Sequence, residues 1–293
     1  MSVIVGVHGI AQQQGGRKQL MRDWGPALAD GIEIAVRADP VGVSFDLAFY
    51  GDLFLGAGHG GQKGAGEDSG LDDLSAAEVD DALADAREAL SEEEIAAAAA
   101  LPPSKAYTRT PRPLQAVLRA LDAKFGAAAG MLYLGTLRQV RRYLRDGGLK
   151  AAADEIVAAK AGTGCRILIG HSLGSVLALE FVRQHPEHRL DLLLTLGSPL
   201  GLRMVQSRLP HPYFGADTPG GIPESLAAWV NVRDVRDPVA CAGDLNTWWP
   251  GVDDRYVDNE GDAHNVARYL SKAHTGTAIV RAAPHFAPGQ AAP

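Results

Sequence analysis

The sequence predicts an α/β protein with a mostly parallel, doubly wound sheet that is interrupted by a helical insertion. Short apolar runs typical of buried strands alternate with helix-like segments toward both ends of the chain. Between them, residues 51–148 break this alternation with a glycine-rich stretch and strongly charged helical segments. A chain of 293 residues is long enough to bury a full core and carry such an insertion.

The composition is that of an ordinary globular protein and argues against a nucleic-acid ligand. Apolar residues make up 46% of the chain and charged residues 22%, with a formal net charge of −7, whereas nucleic-acid binding calls for a basic surface. The two cysteines, Cys165 and Cys241, lie in neither a disulfide framework nor a metal-ligand spacing. We therefore expect no nucleic-acid partner, no cofactor and no metal, and the oligomeric state stays open.

The N-terminus and the hydropathy pattern predict a cytoplasmic protein. Residues 1–9 lack the charged start, long apolar run and cleavage site of a signal peptide, and have the pattern of a first core strand. No stretch approaches the roughly 20 apolar residues that span a bilayer.

The predicted core comprises residues 1–50 and 149–283. A β-branched run ending at His8-Gly9 predicts the first strand, and a helix and a second strand follow it. The predicted strands are 3–7, 43–50, 166–169, 190–196, 227–232 and 255–257, and the predicted helices are 20–36, 151–161, 175–184 and 265–281. A loop is predicted over 197–223, and prolines predict a disordered tail over 284–293.

The insertion over residues 51–148 is predicted to be a glycine-rich loop followed by a helical cap or lid. Its glycines at 56–70 lack the Gly-Lys-Ser/Thr ending of a phosphate loop, so a flexible linker is the better interpretation. The charge is acidic over residues 67–94 and basic over 109–145. These segments either pack on each other or leave a basic amphipathic helix that contacts an anionic membrane surface.

Two capping boxes mark helix starts within the acidic segment. Ser75 is followed three residues later by Glu78, and Ser91 is followed by Glu94. In this spacing each side chain satisfies a backbone N–H group of the other residue, so a helix is predicted to begin after each serine.

The pattern Gly170-His171-Ser172-Leu173-Gly174 lies between a predicted strand and a predicted helix. Gly-x-Ser-x-Gly in that context is a nucleophile elbow, in which the serine occupies a strained turn and its neighbours must be small. The helix N-terminus directs N–H groups and a positive dipole end toward a developing oxyanion. The sequence therefore predicts Ser172 as a nucleophile.

Four segments of the chain resemble the α/β-hydrolase superfamily, and its lipase and esterase branch in particular. They are residues 5–10 (Val-Gly-Val-His-Gly-Ile), 170–174 (the elbow), 194–201 (Leu-Thr-Leu-Gly-Ser-Pro-Leu-Gly) and 229–239 (Trp-Val-Asn-Val-Arg-Asp-Val-Arg-Asp-Pro-Val). The resemblance covers the first strand and most of 151–281, but not 51–148. It implies an α/β-hydrolase fold and the chain order nucleophile, acid, histidine.

The order of that family implies Asp237 as the acid, because it follows a strand and precedes Pro238. Asp234 and Asp244 are its rivals, and each is otherwise a solvated loop charge.

The histidine of the family lies still later in the chain, where His264 starts the terminal helix. His274 falls inside that helix and His285 falls in the predicted tail, so both fit a surface or packing role better.

The resemblance also implies the remaining parts of a serine esterase. The backbone N–H groups of Ile10 and Leu173 form the oxyanion hole, and His8 and His171 are expected to be supporting or core histidines. The expected activity is hydrolysis of a carboxylic ester through an acyl-enzyme, with a small-molecule or acyl substrate. The same triad also serves thioesterases, acyltransferases and amidases, and a non-catalytic binding protein with this fold is the remaining alternative.

Overall fold

The computed structural model describes residues 3–10, 15–55, 74–102, 105–162, 164–209 and 221–289. Six strands form one sheet in which every neighbouring pair is parallel, in the order β2-β1-β3-β4-β5-β6. They are β1 (Ile4–Val7), β2 (Phe45–Ala48), β3 (Ile167–His171), β4 (Leu192–Leu196), β5 (Trp229–Asp234) and β6 (Asp253–Val257). The predicted α/β class with a parallel sheet is confirmed.

Ten α-helices lie within the described ranges. They are α1 (Arg17–Val36), α2 (Ala76–Ala89), α3 (Glu92–Ala99), α4 (Arg112–Phe125), α5 (Ala129–Arg145), α6 (Gly147–Ala161), α7 (Leu173–Gln184), α8 (Arg203–Gln206), α9 (Val266–Leu270) and α10 (Ala273–Ala282). No helix among the described residues is long and apolar enough to cross a membrane.

Helices cover both faces of the sheet. Successive strand residues point to opposite faces, so each strand contributes side chains to two cores. On one face Ile4, Ile167 and Ile169 share a core with α1 and α10. On the other face Val5 and Leu168 share a core with α6, α7 and the helices of the insertion. All side chains of β1 and β3 are buried, which explains their nearly continuous apolar sequence.

Three details differ from the sequence prediction. The helix predicted over 265–281 is broken into α9 and α10 at Ser271 and Lys272. The loop predicted over 197–223 contains α8, and residues 210–220 lie outside the described residues. The tail predicted to be disordered begins with an ordered turn, in which Phe286 is fully buried and its carbonyl oxygen accepts a hydrogen bond from the Val41 amide at 3.0 Å. The apolar contact of that phenyl ring outweighs the surrounding prolines, whereas residues 290–293 are outside the described part.

The insertion forms helices α2 to α5, and both predicted capping boxes are present. In each box the serine side chain accepts from the glutamate amide, and the glutamate carboxylate accepts from the serine amide. The glycine-rich stretch at 56–70 lies outside the described residues.

The acidic and basic helices of the insertion pack on each other. Ion pairs join Lys124 to Glu94 at 3.0 Å and Arg138 to Glu78 at 3.5 Å, and a third pair joins Arg141 of α5 to α2. The charge reversal along the sequence therefore produces contacts within the insertion, which is the first of the two predicted arrangements.

A buried carboxylate attaches the insertion to the core. Asp85 of α2 is 1% exposed, and both of its oxygens accept from the Met204 amide of α8, at 3.1 and 3.2 Å. Burial raises the pKa of Asp85 to about 7. Two ion pairs flank this contact, from Arg203 to Glu88 at 2.9 Å and from Arg208 to α2 at 2.7 Å.

Candidate active site

Ser172 occupies the turn between β3 and α7 in a strained backbone conformation. Its φ of 54° and ψ of −128° lie outside the regions that residues with a Cβ normally adopt. A Cβ on Gly170 would lie 2.5 Å from Ser175 Cα, and one on Gly174 would lie 2.1 Å from the Val7 carbonyl oxygen. The two glycines of the motif are therefore required by close packing of the strand, the helix and β1 around the serine, as the sequence predicts for an elbow.

The His8-Gly9 turn at the end of β1 lies against the serine. β1 pairs directly with β3, with Val7 opposite Gly170, so the chain leaving β1 passes beside the elbow. A Cβ on Gly9 would lie 2.7 Å from Ser172 Cβ. The backbone of this turn thus approaches Ser172 as closely as the absence of a side chain allows.

Tyr50 and the His8 side chain support this turn. His8 Nε2 accepts from the Tyr50 amide at 3.1 Å, His8 Nδ1 contacts the Gly9 carbonyl oxygen at 2.7 Å, and the two rings stack at 4.1 Å. The Tyr50 hydroxyl donates to the His8 carbonyl oxygen. Burial lowers the pKa of His8 to about 4, so the ring is neutral near pH 7 and supports the turn as predicted.

Asp237 and His264 meet at the same edge of the sheet. Asp237 lies in a tight turn after β5, where its amide donates to the Asp234 carbonyl oxygen at 3.0 Å. His264 follows β6 and directly precedes Asn265, the N-cap of α9. His264 Nδ1 lies 2.9 Å from Asp237 Oδ1 and 2.8 Å from Oδ2. Because an ionised carboxylate only accepts, Nδ1 carries the proton and Nε2 is left with its lone pair.

Two further donors hold the fully buried Asp237 carboxylate. The Val239 amide donates to Oδ1 at 2.9 Å, and the Tyr269 hydroxyl donates to Oδ2 at 2.8 Å. Tyr269 in turn accepts from the Asp234 amide at 2.9 Å. The carboxylate is thus oriented by the backbone of its own turn and by a phenol from α9.

The rival candidates have other partners. Asp234 is buried and accepts from the amides of Arg236, at 2.8 Å, and Asn259, and Asp244 pairs with Arg233 at 2.9 Å. His274 is exposed on α10 and His285 lies in the C-terminal turn.

Ser172 Oγ and His264 Nε2 are both buried and have no hydrogen-bond partner among the described residues. No hydrogen bond therefore joins the two atoms, although their elements meet at the carboxyl edge of the parallel sheet. Catalytic hydrogen bonds are often long or poorly aligned without substrate. Leaving a buried hydroxyl and a buried imidazole nitrogen without partners costs free energy.

The expected oxyanion donors lie on the two elements that flank the serine. Leu173 is the first residue of α7, and amides in the first turn of a helix have no acceptor within the helix. Ile10 follows Gly9 and lines the cavity beside the serine. The positive end of the α7 dipole points at the same place.

A cavity of about 570 Å³ opens next to these groups. The turn after β1, α1, α5, the end of β3 and the start of α9 contribute to its wall; the residues are His8, Gly9, Ile10, Leu20, Asp23, Trp24, Leu132, His171, His264, Asn265, Val266 and Ala267. Its volume is that of a small-molecule site. Asp23 is the one carboxylate or cationic side chain in this lining.

Sequence reasoning missed three groups around the site. Ser175 Oγ bridges the Ser172 carbonyl oxygen at 2.6 Å and Ser198 Oγ at 2.7 Å, and Tyr269 holds Asp237. Ser198 is in a segment that the sequence marks as hydrolase-like, but nothing in the sequence indicates its partner. The signal for Tyr269 is equally absent, because the hydrogen bond spans 32 positions.

Within the described part of the chain, no group of three or more histidine, cysteine or acidic side chains could hold a metal ion. The buried thiol of Cys165 has a pKa raised to about 12 by desolvation, so it is no nucleophile near neutral pH.

No protein-family model matches the chain, and no curated protein shows significant sequence similarity to it. The function is therefore argued from the arrangement of the site itself.

Proposed function

We propose that the protein is a serine hydrolase of the α/β-hydrolase fold that cleaves carboxylic esters with Ser172, His264 and Asp237. One observation carries this proposal. A serine in a strained strand-to-helix turn has a bare, buried hydroxyl at the sheet edge where an imidazole is fixed by a buried carboxylate, with its second nitrogen free. This combination stores strain and leaves hydrogen-bond capacity unused, and both are characteristic of a reactive site.

The strand arrangement supports the fold assignment. The strand that carries the nucleophile pairs with the strand that leads into the His8-Gly9 turn. The acid and the histidine follow β5 and β6, in the chain order serine, aspartate, histidine that is typical of this fold.

In the reaction, His264 Nε2 takes the proton of Ser172 Oγ while Oγ attacks the ester carbonyl carbon. The oxyanion accepts hydrogen bonds from the Leu173 and Ile10 amides, and Asp237 stabilises the imidazolium. The imidazolium gives its proton to the departing alcohol oxygen, and the acyl group stays on Oγ. Water, deprotonated by His264, then attacks the acyl carbon, and the return of the proton to Oγ releases the carboxylic acid.

The cavity wall indicates the kind of ester that fits. Ile10, Leu20, Leu132 and Val266 present apolar surface close to the histidine, which suits a hydrophobic acyl or alcohol group. Because Leu132 belongs to α5, the insertion over 51–148 acts as a cap that contributes to substrate choice.

The test is covalent labelling with a fluorophosphonate probe followed by mass spectrometry. Wild-type protein should gain one adduct, located on Ser172, and Ser172→Ala should gain none. Ser207→Ala is the matched control, since Ser207 lies on the surface after α8 and donates only to the Met204 carbonyl oxygen at 3.2 Å. Absence of labelling in the folded wild-type protein would refute the proposal. Hydrolysis of p-nitrophenyl esters of graded chain length then reports the preferred acyl group.

A further inference from the structure

His171 connects the nucleophile to the histidine that activates it. It is 8% exposed and directly precedes Ser172, so its backbone is continuous with the elbow. Its Nε2 lies 2.9 Å from the backbone carbonyl oxygen of His264, and the two imidazole rings are tilted against each other with centroids 4.7 Å apart. One side chain therefore contacts both the main chain and the ring of His264.

The partner of His171 determines its tautomer. A carbonyl oxygen only accepts hydrogen bonds, so Nε2 of His171 must carry a proton. Burial, followed by the neighbouring His264, lowers the pKa of His171 well below its usual value, so the ring is neutral and Nδ1 has no proton. When His264 takes up the serine proton, it becomes an imidazolium. The neutral His171 ring beside it then causes no charge repulsion.

The opposite side of His171 lies against the turn that follows β1. A Cβ on Gly9 would lie 2.9 Å from His171 Nδ1, so the ring fills the space that a side chain on Gly9 would need. The Trp24 ring packs edge-on against the His171 ring, with the two centroids 6.3 Å apart. The His171 ring is thus confined between α1, the His8-Gly9 turn and His264. This packing restricts the ring motion that would break its hydrogen bond to the His264 carbonyl oxygen.

The other hydrogen bonds of the loop that carries His264 are made by neighbouring residues. The Asn259 side chain donates to the Ala263 carbonyl oxygen at 3.0 Å, and Asn265 caps α9. Asp237 restrains the His264 ring through Nδ1, and the bond from His171 restrains the backbone of the same residue.

We propose that His171 is a positioning residue, which fixes the backbone and ring of His264 relative to Ser172 through its hydrogen bond to the His264 carbonyl oxygen. This inference rests on the proposed hydrolase function. The one N–H group of the neutral His171 ring donates to the His264 carbonyl oxygen, so His171 supplies no proton to the substrate. His171 couples the position of His264 to that of Ser172, because it is adjacent to Ser172 in the chain and is hydrogen-bonded to the His264 backbone. A shift of the turn at Ser172 therefore also moves His264.

The experiment compares two substitutions of His171 with a control. His171→Phe keeps a planar ring but cannot donate, whereas His171→Gln retains an N–H donor on a side chain of similar reach. The control is His188→Phe, because His188 is also partly buried, contacts a backbone carbonyl oxygen (that of Cys165) at 3.0 Å and lies against Phe181. Cys165 precedes β3, at the end of the strand opposite to Ser172.

We expect His171→Phe to lower kcat for a p-nitrophenyl ester by about 10- to 100-fold with little change in KM, since a misplaced catalytic group can cost about 100-fold. His171→Gln should recover most of that loss, and His188→Phe should retain the wild-type kcat even if its melting temperature falls. A kcat of His171→Phe equal to the wild-type value, or a Gln variant as slow as the Phe variant, would overturn the proposal.

A spectroscopic measurement separates this proposal from the proposed function. The Nδ1–H proton of His264, which is bonded to Asp237, should give a far-downfield proton signal in NMR spectra of the wild type. That signal should shift or broaden in His171→Phe and stay in place in His171→Gln and His188→Phe. This readout does not require turnover. An unlabelled, inactive protein would refute the hydrolase, whereas an unchanged signal in His171→Phe would refute the positioning role.

Discussion

Replacing Asp237 with asparagine changes one atom of a fully buried side chain, and the surrounding donors determine where that atom goes. If the amide nitrogen takes the place of Oδ1, it faces the Val239 N–H group, and two donors oppose each other. If it takes the place of Oδ2, it faces the Tyr269 hydroxyl, which can accept, and His264 Nδ1. The second orientation is the favourable one, because Nδ1 can become an acceptor while a backbone amide cannot.

That orientation favours the wrong tautomer of His264, because it places an N–H donor at the Oδ2 position, 2.8 Å from Nδ1. With Nδ1 accepting from the asparagine amide, the ring proton moves to Nε2, the nitrogen that must take the proton of Ser172. Loss of the correct tautomer in a serine triad lowers kcat by about 10⁴-fold, which corresponds to about 5 kcal/mol of transition-state stabilisation. The Tyr269 hydroxyl proton also loses its acceptor, which costs about 1–3 kcal/mol of unfolding free energy.

The assay measures kcat for p-nitrophenyl acetate per active site, together with the melting temperature. Asp244→Asn serves as the matched control, since Asp244 is another aspartate of this region and pairs with Arg233 and Tyr256 instead of a histidine. We expect wild-type kcat from the control. The tautomer reasoning is refuted if folded Asp237→Asn loses less than about tenfold in kcat, because general-base catalysis alone contributes about 10²–10⁴-fold.

Three other substitutions test separate parts of the molecule. Gly9→Ala would bring a Cβ within 2.7 Å of Ser172 Cβ and displace an oxyanion donor, so kcat should fall by about 10²–10³-fold; an unchanged kcat would show that the turn does not bind the oxyanion. Burial raises the pKa of Asp85 from 3.8 to about 7. Between these pH values the native state binds more protons than the unfolded chain, so the contribution of Asp85 to stability falls as the pH rises. Relative to Asp85→Asn, the wild-type free energy of unfolding should drop by about 3 kcal/mol between about pH 5 and pH 8, as measured by urea titration, and parallel pH profiles would contradict the assignment. Leu132→Trp should narrow the cavity and raise KM for long-chain esters much more than for acetate, and equal effects on both would place the acyl group elsewhere.

The part of the site that sequence reasoning located is local. Gly170, Ser172 and Gly174 lie within five positions, and the strand and helix around them are visible as an apolar run followed by helical periodicity. The reason is steric, because the elbow needs small residues at fixed offsets from the serine. The capping boxes at Ser75 and Ser91 were predictable for the same reason, since the partners are three residues apart.

The choice among equivalent residue types depended on contacts across the fold. Asp234 ends β5 and Asp237 lies three residues later, and only their different neighbours, Asn259 for one and His264 for the other, distinguish them. The tail from Pro284 was predicted to be disordered from its composition. Its first residues are ordered because the Phe286 side chain is buried in the core.

By itself, the sequence determined the α/β class and the tight strand-to-helix turn at Ser172, because strand periodicity, helix capping and small-residue spacing act over a few positions. The order serine, aspartate, histidine was implied by the resemblance to the α/β-hydrolase superfamily. Only the tertiary structure decided that Tyr269 donates to the Asp237 carboxylate, that His171 bonds the His264 carbonyl oxygen and that Leu132 of the insertion lines the cavity. These relations join groups that are distant in the chain. They arise from the order in which parallel strands assemble, which brings the ends of β1, β3, β5 and β6 to one edge.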